Sequence, residues 1–229
     1  MHRITGMKNA QYIALSVLLF STVVFAKMYT VTAYRDTVPG SLREALTNCG
    51  VGDTVVFTIA AKDTVLLVNS FQVSTWVTIM GINQATGKAI TLKASGNNQI
   101  VSIVKGRVIM RDLKFLSGRP IMRVSGAATR VEIDHCCFLN GVSSASSSSV
   151  GGAITFDSAS AVITNSKFSG NGSSGDGGAL YNNSGFVELA HDTIEGSKTQ
   201  GYGGYFACGG GTNTITNCVF ANNGSSSLT

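Results

Sequence analysis

The sequence predicts an all-β protein: a right-handed, single-stranded parallel β-helix, which is a solenoid, with a short N-terminal capping helix. Gly-Gly pairs recur every 26 residues, at positions 151, 177 and 203, and a second motif begins twelve residues after each pair. A fixed period of this length is typical of a solenoid. The chain contains 27 glycines, 2 prolines and only 13% charged residues. This composition excludes a coiled coil, a collagen-like chain and a disordered polyelectrolyte.

The first 26 residues have the pattern of a secretory signal peptide. The basic residues Arg3 and Lys8 precede an apolar run over 13–25, and Ala26 provides a small residue for cleavage. The run is shorter than the roughly 20 residues that a membrane-spanning helix needs, and no later stretch has the length to span a membrane as a helix. We expect cleavage after Ala26, with an uncleaved anchor as the alternative. The chain is therefore expected to be secreted or held at the cell surface or outer membrane.

Residues 27–60 are predicted to form an N-terminal cap that contains a short helix near 41–49. Ser41 and Glu44 have the spacing of a capping box, and Gly50 fits the end of the helix. Strand-like runs lie on both sides of this helix. A solenoid needs such a cap, because its first coil would otherwise expose an unpaired strand edge.

Residues 61–229 are predicted to form the stacked coils. The second motif reads apolar, any residue, Asn/Asp/His, small or apolar, any residue, Phe/Ile. Its third residue belongs to the types that tolerate a left-handed backbone, so two short strands meet at a one-residue corner. The first, fourth and sixth residues then point inward. One interval between copies is 30 residues, which predicts a surface loop at Ser143–Ser149. The five copies are 110–115, 133–138, 163–168, 189–194 and 215–220.

The third residues of the motif form one column along the predicted stack. A functional interpretation makes His135 and His191 ligands or catalytic bases. The position repeats while the residue type changes, so we favour corner residues that are hydrogen-bonded along the stack. The column consists of Asp112, His135, Asn165, His191 and Asn217.

The net charge argues against a nucleic-acid partner, and the cysteine positions argue against one disulfide. The formal net charge is +5, and removal of Arg3 and Lys8 with the signal leaves 15 basic against 12 acidic residues, or +3. This charge is too small and too scattered to indicate a nucleic-acid partner. Cys136 and Cys218 share one inward column, but they lie three coils apart, which exceeds disulfide reach. We interpret both as small core residues.

Two sets of motifs resemble known bacterial surface proteins. Tyr29-Thr-Val-Thr32 and Asp36-Thr-Val-Pro-Gly-Ser-Leu-Arg-Glu-Ala-Leu46 resemble the CSLREA-type N-terminal cap of bacterial surface proteins with parallel β-helix repeats, with Gly40 where that family often has Cys. The GGAI/GGAL motifs, together with Phe168-Ser-Gly-Asn171 and Phe220-Ala-Asn-Asn223, are similar to the repeats of polymorphic outer membrane proteins. This resemblance implies an exported, adhesin-like passenger whose partners are glycans or host and cell-surface proteins.

Parallel β-helices of the pectin lyase-like fold also include pectate lyases and polysaccharide hydrolases. Val131-Glu-Ile-Asp-His135 is similar to the pectate-lyase motif whose Asp binds calcium, and Arg119-Pro-Ile-Met-Arg123 is similar to the catalytic Arg motif of those enzymes. The Arg motif is one residue short, however, and the two motifs stand in the reverse order. The corner repeat accounts for Asp134 and His135 without any chemistry.

The acidic residues also argue against an enzyme. A lyase needs several carboxylates around calcium and an Arg base, and an inverting hydrolase needs two separated carboxylates on one face. Glu132 is expected to alternate in facing with Asp134 and Asp112. We assign no catalytic, cofactor-binding or metal-binding residue, and we expect no cofactor. The remaining acids of the repeats are expected at turns and outer positions: Asp157, Asp176, Glu188, Asp192 and Glu195.

The sequence therefore predicts an exported surface or secreted β-helix protein with a structural and adhesive binding role. We expect a passenger or fragment of a larger adhesin-like protein, truncated at its C-terminus. A carbohydrate-active β-helix enzyme of pectate-lyase or polysaccharide-hydrolase type is the alternative.

Overall fold

The structure, a computed structural model, describes residues 25–143 and 150–225. Nearly all of the predicted signal peptide and of the predicted serine loop, and the last four residues of the chain, lie outside the described residues. In chain order the elements are β1 (Met28–Val31), α1 (Leu42–Asn48), β2 (Asp53–Phe57), β3 (Thr64–Leu67), β4 (Phe71–Val73), β5 (Val77–Asn83), β6 (Thr91–Ala94), β7 (Val101–Ile103), β8 (Arg107–Arg111), β9 (Lys114–Leu116), β10 (Met122–Ser125), β11 (Arg130–Asp134), β12 (Cys137–Leu139), β13 (Val142–Ser143), β14 (Ile154–Asp157), β15 (Ser160–Thr164), β16 (Lys167–Ser169), β17 (Gly172–Ser173), β18 (Leu180–Ala190), β19 (Thr193–Glu195), β20 (Lys198–Thr199), β21 (Phe206–Thr216), β22 (Val219–Ala221) and β23 (Gly224–Ser225).

The strands stack in register into a parallel β-helix of about seven turns, which confirms the predicted fold. Each full turn of the later coils passes through four faces in the same order. Face 1 holds β1, β2, β5, β8, β11, β15 and the second halves of β18 and β21. Face 2 holds β3, β6, β9, β12, β16, β19 and β22, and face 3 holds β13, β17, β20 and β23. Face 4 holds β4, β7, β10, β14 and the first halves of β18 and β21.

The predicted corner column lies where face 1 turns into face 2. All five corner residues, from Asp112 to Asn217, have φ between 52 and 60°, in the left-handed region. The corner N–H of each coil donates to a carbonyl of the next: His135 N to Thr164 O at 3.2 Å, and His191 N to Thr216 O at 3.1 Å. The corner interpretation of both histidines is therefore confirmed.

The Gly-Gly pairs turn the chain from face 3 into face 4. The first glycine of each pair, for example Gly177, has a positive φ that other residues rarely adopt. The second glycine lies against the backbone of the next coil, and a Cβ at Gly152 would collide with the carbonyl oxygens of Gly172 and Gly178. The 26-residue period thus marks a corner at which successive coils approach too closely for a side chain.

The core is a set of inward columns. Phe115, Phe138 and Phe168 are fully buried and stack face to face, with ring centroids 4.8 and 4.7 Å apart. Their spacing equals the distance between neighbouring strands, because one ring is contributed by each coil. Such columns supply most of the apolar burial that stabilises the fold.

The N-terminal end is covered by α1, as predicted. Ser41 is the N-cap and its Oγ accepts the Glu44 N–H at 3.2 Å, while Glu44 Oε2 accepts the N–H of Gly40 at 2.6 Å. Leu42 is fully buried against the first coil. Gly50 does not end the helix in a left-handed conformation: Cys49 leaves it in an extended conformation, and Gly50 N–H donates to Asp53. β1 and β2, within the predicted cap region, already belong to face 1.

Candidate ligand-binding groove on face 1

A shallow groove of about 350 Å³ runs across β8, β11 and β15 on the outer side of face 1. Period-2 alternation sends every second residue of these strands outward, and the parallel register aligns them in rows across the coils. The groove is lined mainly by the outward side chains Ile109, Arg111, Arg130, Glu132, Asp134, Val162 and Thr164.

Glu132 lies on the same face as Asp134, so the expectation that the two alternate in facing is wrong. Residues two apart on a strand share a face, and only the intervening Ile133 points into the core. Glu132 Oε1 accepts hydrogen bonds from Arg107, at 3.0 and 2.8 Å, and from Arg130 at 3.2 Å. Its carboxylate is thus shared between two guanidinium groups of adjacent coils.

Asp134 is held by the corner residue of its own coil and by two residues of the next coil. Its carboxylate accepts hydrogen bonds from Thr164 Oγ1 at 2.7 Å and Asn165 Nδ2 at 2.9 Å, and lies 3.0 Å from His135 Nδ1. Partial burial alone would raise the pKa of Asp134, but these hydrogen bonds outweigh it and lower the pKa to about 2. A carboxylate that stays ionised and is already bound by three neighbours is suited to fixing the corner and unsuited to general acid catalysis.

The two arginines of the lyase-like motif are not brought to Asp134. Arg119 precedes the cis peptide bond to Pro120, and Arg123 is an exposed residue of β10 on face 4. Arg123 is in register with Ser102 and Thr155, not with any residue of the groove. Among the described residues, no group of three or more His, Cys, Asp and Glu side chains is placed to hold a metal ion.

Arg111 is the groove residue whose guanidinium is available to bind a ligand. Arg107 and Arg130 are engaged by Glu132, whereas Arg111 makes no ion pair within residues 25–143 and 150–225. Beside it, Ile109 and Val162 provide an apolar floor. No sequence motif marks Arg111, although period-2 alternation in Arg107-Val-Ile-Met-Arg111 places it on the outer face.

An aromatic ring extends the groove toward the N-terminus. Arg107 Cζ lies 5.6 Å from the centroid of the Trp76 ring, and this ring is 42% exposed. A cation over an indole face is held in place by the ring's electrostatic field. The outer side of face 1 therefore presents, along the solenoid axis, an aromatic ring, an arginine–glutamate cluster and an uncommitted guanidinium.

Asp192 lies inside the solenoid, which corrects its expected position among turns and outer sites. It occupies the inward column of Leu113, Cys136 and Ser166, and it is 1% exposed. Its Oδ1 accepts the Ser166 N–H at 2.7 Å, while its Oδ2 is buried without a hydrogen-bond partner. Burial outweighs the hydrogen bonds and raises its pKa to about 7.

The inward cysteines behave differently in the middle and at the end of the stack. All five cysteines are free. Cys136 is a buried core residue, as interpreted from the sequence, and burial raises the pKa of its thiol to about 12. Cys218 occupies the same column but lies only half-buried in the last coil.

A second groove, of about 500 Å³, lies on face 3 and is lined mostly by glycines and small hydroxyl side chains, together with Val142, Lys198 and Gln200. Its hydroxyls are already engaged: Ser174 Oγ donates to Ser143 O at 3.3 Å, and Thr199 Oγ1 donates to Gly175 O. The face 1 groove, which brings Arg111 and Arg130 beside an apolar floor, is the better candidate for a ligand.

Comparison of the chain with known protein families, curated proteins and solved structures finds no match. In the part of the chain that the structure describes, no helix combines the length and apolarity needed to cross a membrane.

Proposed function

We propose that this chain is an exported β-helix protein, secreted or displayed at the cell surface, with a structural and adhesive role, and that it binds acidic glycans in the face 1 groove. The observation that carries the proposal is Arg111, a guanidinium that makes no ion pair with any described residue and lies beside an apolar floor. A guanidinium recognises a carboxylate or sulfate by two parallel hydrogen bonds.

The solenoid supports this role mechanically. Parallel coils in register place outward side chains at fixed intervals of about 4.8 Å along a stiff rod. The groove of about 350 Å³ is at the lower end of the range for ligand pockets, which suits one or two sugar units of a longer polymer. Trp76 and the Arg107–Glu132 cluster continue the same face, so a chain running along the axis would meet further contacts.

The proposal is tested by binding to polygalacturonate, an acidic polysaccharide. We expect saturable retention by the purified protein, and we expect Arg111→Ala to weaken it about tenfold or more, since a hydrogen bond to a charged group is lost. The matched control is Arg123→Ala, which removes an exposed arginine from face 4 and should leave binding unchanged. Equal loss in both variants would indicate only a general charge effect and would contradict the proposal.

The same assay separates binding from catalysis. We expect the polysaccharide to be recovered uncleaved, with no new chain ends, in the presence and absence of calcium. Asp134→Ala should lower stability through the loss of its corner hydrogen bonds. Cleavage that disappears in a folded Asp134→Ala protein would establish an enzyme instead.

A further inference from the structure

In the N-terminal half of face 2, cations and leucines alternate in one outward row. Along the axis the parallel register orders this row as Arg35, Leu66, Lys93, Leu116 and Leu139. Neighbours in such a row lie about 4.8 Å apart, since one residue comes from each coil. The first three side chains are exposed, and the last two leucines are half-buried. The row therefore offers positive charge and apolar contact together on one sheet face.

Three more lysines widen the positive charge around this row. Lys114 is an exposed outer residue of β9. Lys62 Nζ lies 4.9 Å from the centroid of the Tyr34 ring, and Arg35 Cζ lies 5.7 Å from the same centroid, so the ring holds two cations beside each other. Lys88 is exposed in the turn between β5 and β6. We call these five cations the basic surface: Arg35, Lys62, Lys88, Lys93 and Lys114.

Neighbouring acids do not neutralise the basic surface. Its five cations form no ion pair with any described residue. Asp63 lies near Lys88 and Lys114, but its carboxylate already accepts hydrogen bonds from Thr86 Oγ1 and from Asn83 Nδ2, the latter at 2.8 Å. These hydrogen bonds, and to a lesser degree the two lysines, lower the pKa of Asp63.

The net charge of the chain is concentrated at the basic surface. Beyond residue 26 the chain has 15 basic and 12 acidic residues, and the five cations lie together with the acids Asp63 and Asp112. Ten basic and ten acidic residues remain elsewhere, so this surface accounts for the whole net charge of +3. Later in face 2, by contrast, Lys167 is paired with Glu195 at 2.7 Å.

We propose that the basic surface docks the protein on a lipid bilayer that contains anionic phospholipids. Clusters of lysines and arginines are attracted to such a membrane, and each cation near it strengthens binding about fivefold. The leucines of the row contact the boundary of the acyl chains, while the lysine stems lie along apolar surface and keep their charges at the headgroups. Leucines between the cations favour a bilayer over a soluble acidic polymer, because a hydrated polymer gains little from aliphatic contact.

The test is sedimentation of the purified protein with vesicles of phosphatidylcholine alone and of an equal mixture of phosphatidylcholine and phosphatidylglycerol. We expect binding to the anionic vesicles only, and we expect added salt to weaken it. Lys93→Gln combined with Lys114→Gln removes two charges from the basic surface while keeping long polar side chains. This double variant should weaken binding about tenfold or more.

The matched control removes the same charge from other faces. Arg123→Gln combined with Lys198→Gln changes exposed residues of faces 4 and 3, so it should leave vesicle binding nearly unchanged. Leu66→Ser tests the apolar contact and should also weaken binding to the anionic vesicles. Circular dichroism verifies that all three variants fold.

Three results would overturn membrane docking. The first is the absence of binding to anionic vesicles, or equal binding to the neutral ones. The second is an equal loss in the two double variants, which would indicate a general charge effect. The third is a loss of polygalacturonate retention in the Lys93→Gln, Lys114→Gln protein that matches its loss of vesicle binding, which would make the basic surface a site for acidic polymers.

Discussion

The first and the last described coils of the solenoid share one register but differ in what covers them. At the N-terminus, α1 lies over the first coil, Leu42 is fully buried, and the carboxylate of Asp36 receives two hydrogen bonds from Arg43, at 3.0 and 2.7 Å. In the last described coil, β21 and β22 pair with the preceding coil only among the described residues, and Ile215 and Phe220 of the inward columns are 41% and 37% exposed. The difference shows that a coil of this fold is stabilised by the neighbour on each side, as expected for a quasi-one-dimensional stack.

The largest expected effect compares the middle of the phenylalanine column with the last described coil. Phe138→Ala leaves a cavity between two stacked rings and should lower the free energy of unfolding by about 4 kcal/mol. Phe220→Ala, in the same column of the last coil, should cost only about 1 kcal/mol, because that ring is already 37% exposed. Urea denaturation measures both, and equal losses would contradict the difference between the middle of the stack and the last described coil.

The second-largest expected effect concerns the N-terminal coil that α1 covers. Asp36 is 2% exposed, binds Arg43 and also accepts the Val68 N–H at 3.0 Å, so it ties α1 to the first coil. Asp36→Ala should lower the free energy of unfolding by about 2 kcal/mol, since it removes the charged hydrogen bonds to the partly exposed Arg43 and the acceptor of the Val68 N–H. Lys167→Ala breaks the half-exposed pair with Glu195 and serves as the control, with an expected change of about 0.5 kcal/mol or less. If Lys167→Ala lowered the free energy of unfolding more than Asp36→Ala, the role of Asp36 in holding α1 against the first coil would be contradicted.

A third effect, which depends on pH, tests the interior near the last described coil. The pKa of Asp192 is raised from 3.8 to about 7 by burial, so the folded protein holds a proton that the unfolded chain has released. Stability from this group is complete below about pH 4 and is lost as the pH rises to about 7. Asp192→Asn should therefore remove this decline and raise the free energy of unfolding at pH 8 by about 2 kcal/mol.

Urea unfolding at several pH values measures the Asp192 effect. The matched control is Glu188→Gln, at an outer position of face 1, which should leave the pH profile unchanged. An Asp192→Asn protein that is less stable than the parent at pH 8 would mean that the ionised carboxylate is required.

Sequence reasoning succeeded where position alone determines structure. The corners and the phenylalanine column follow from a period and an alternation, and Asn165 or Phe138 could be placed without knowing a single contact. It failed at Asp192, because an acid in an inward column violates the usual exclusion of charge from a core. It failed at Glu132, although period-2 alternation places Glu132 and Asp134 on the same face of β11.

The sequence could not predict that Arg111, unlike Arg107 and Arg130, makes no ion pair with Glu132. Glu132 stands near several arginines, and which of them engage it depends on side-chain conformations across neighbouring coils. The motif copies of these coils are separated by 23 and 30 residues. The regular 26-residue period therefore does not predict the register between the coils.

Native-state hydrogen exchange tests the contrast between the first and the last described coils most directly. We predict that amides of β8, β11 and β15, which have a neighbouring strand on each side, exchange slowest and that β2 stays protected beneath α1. Amides of β21 and β22 should exchange fastest among the strands, because among the described residues they pair with the preceding coil only. If β21 were as protected as β11, or if β2 exchanged fastest, the account of stabilisation by a neighbour on each side would be contradicted.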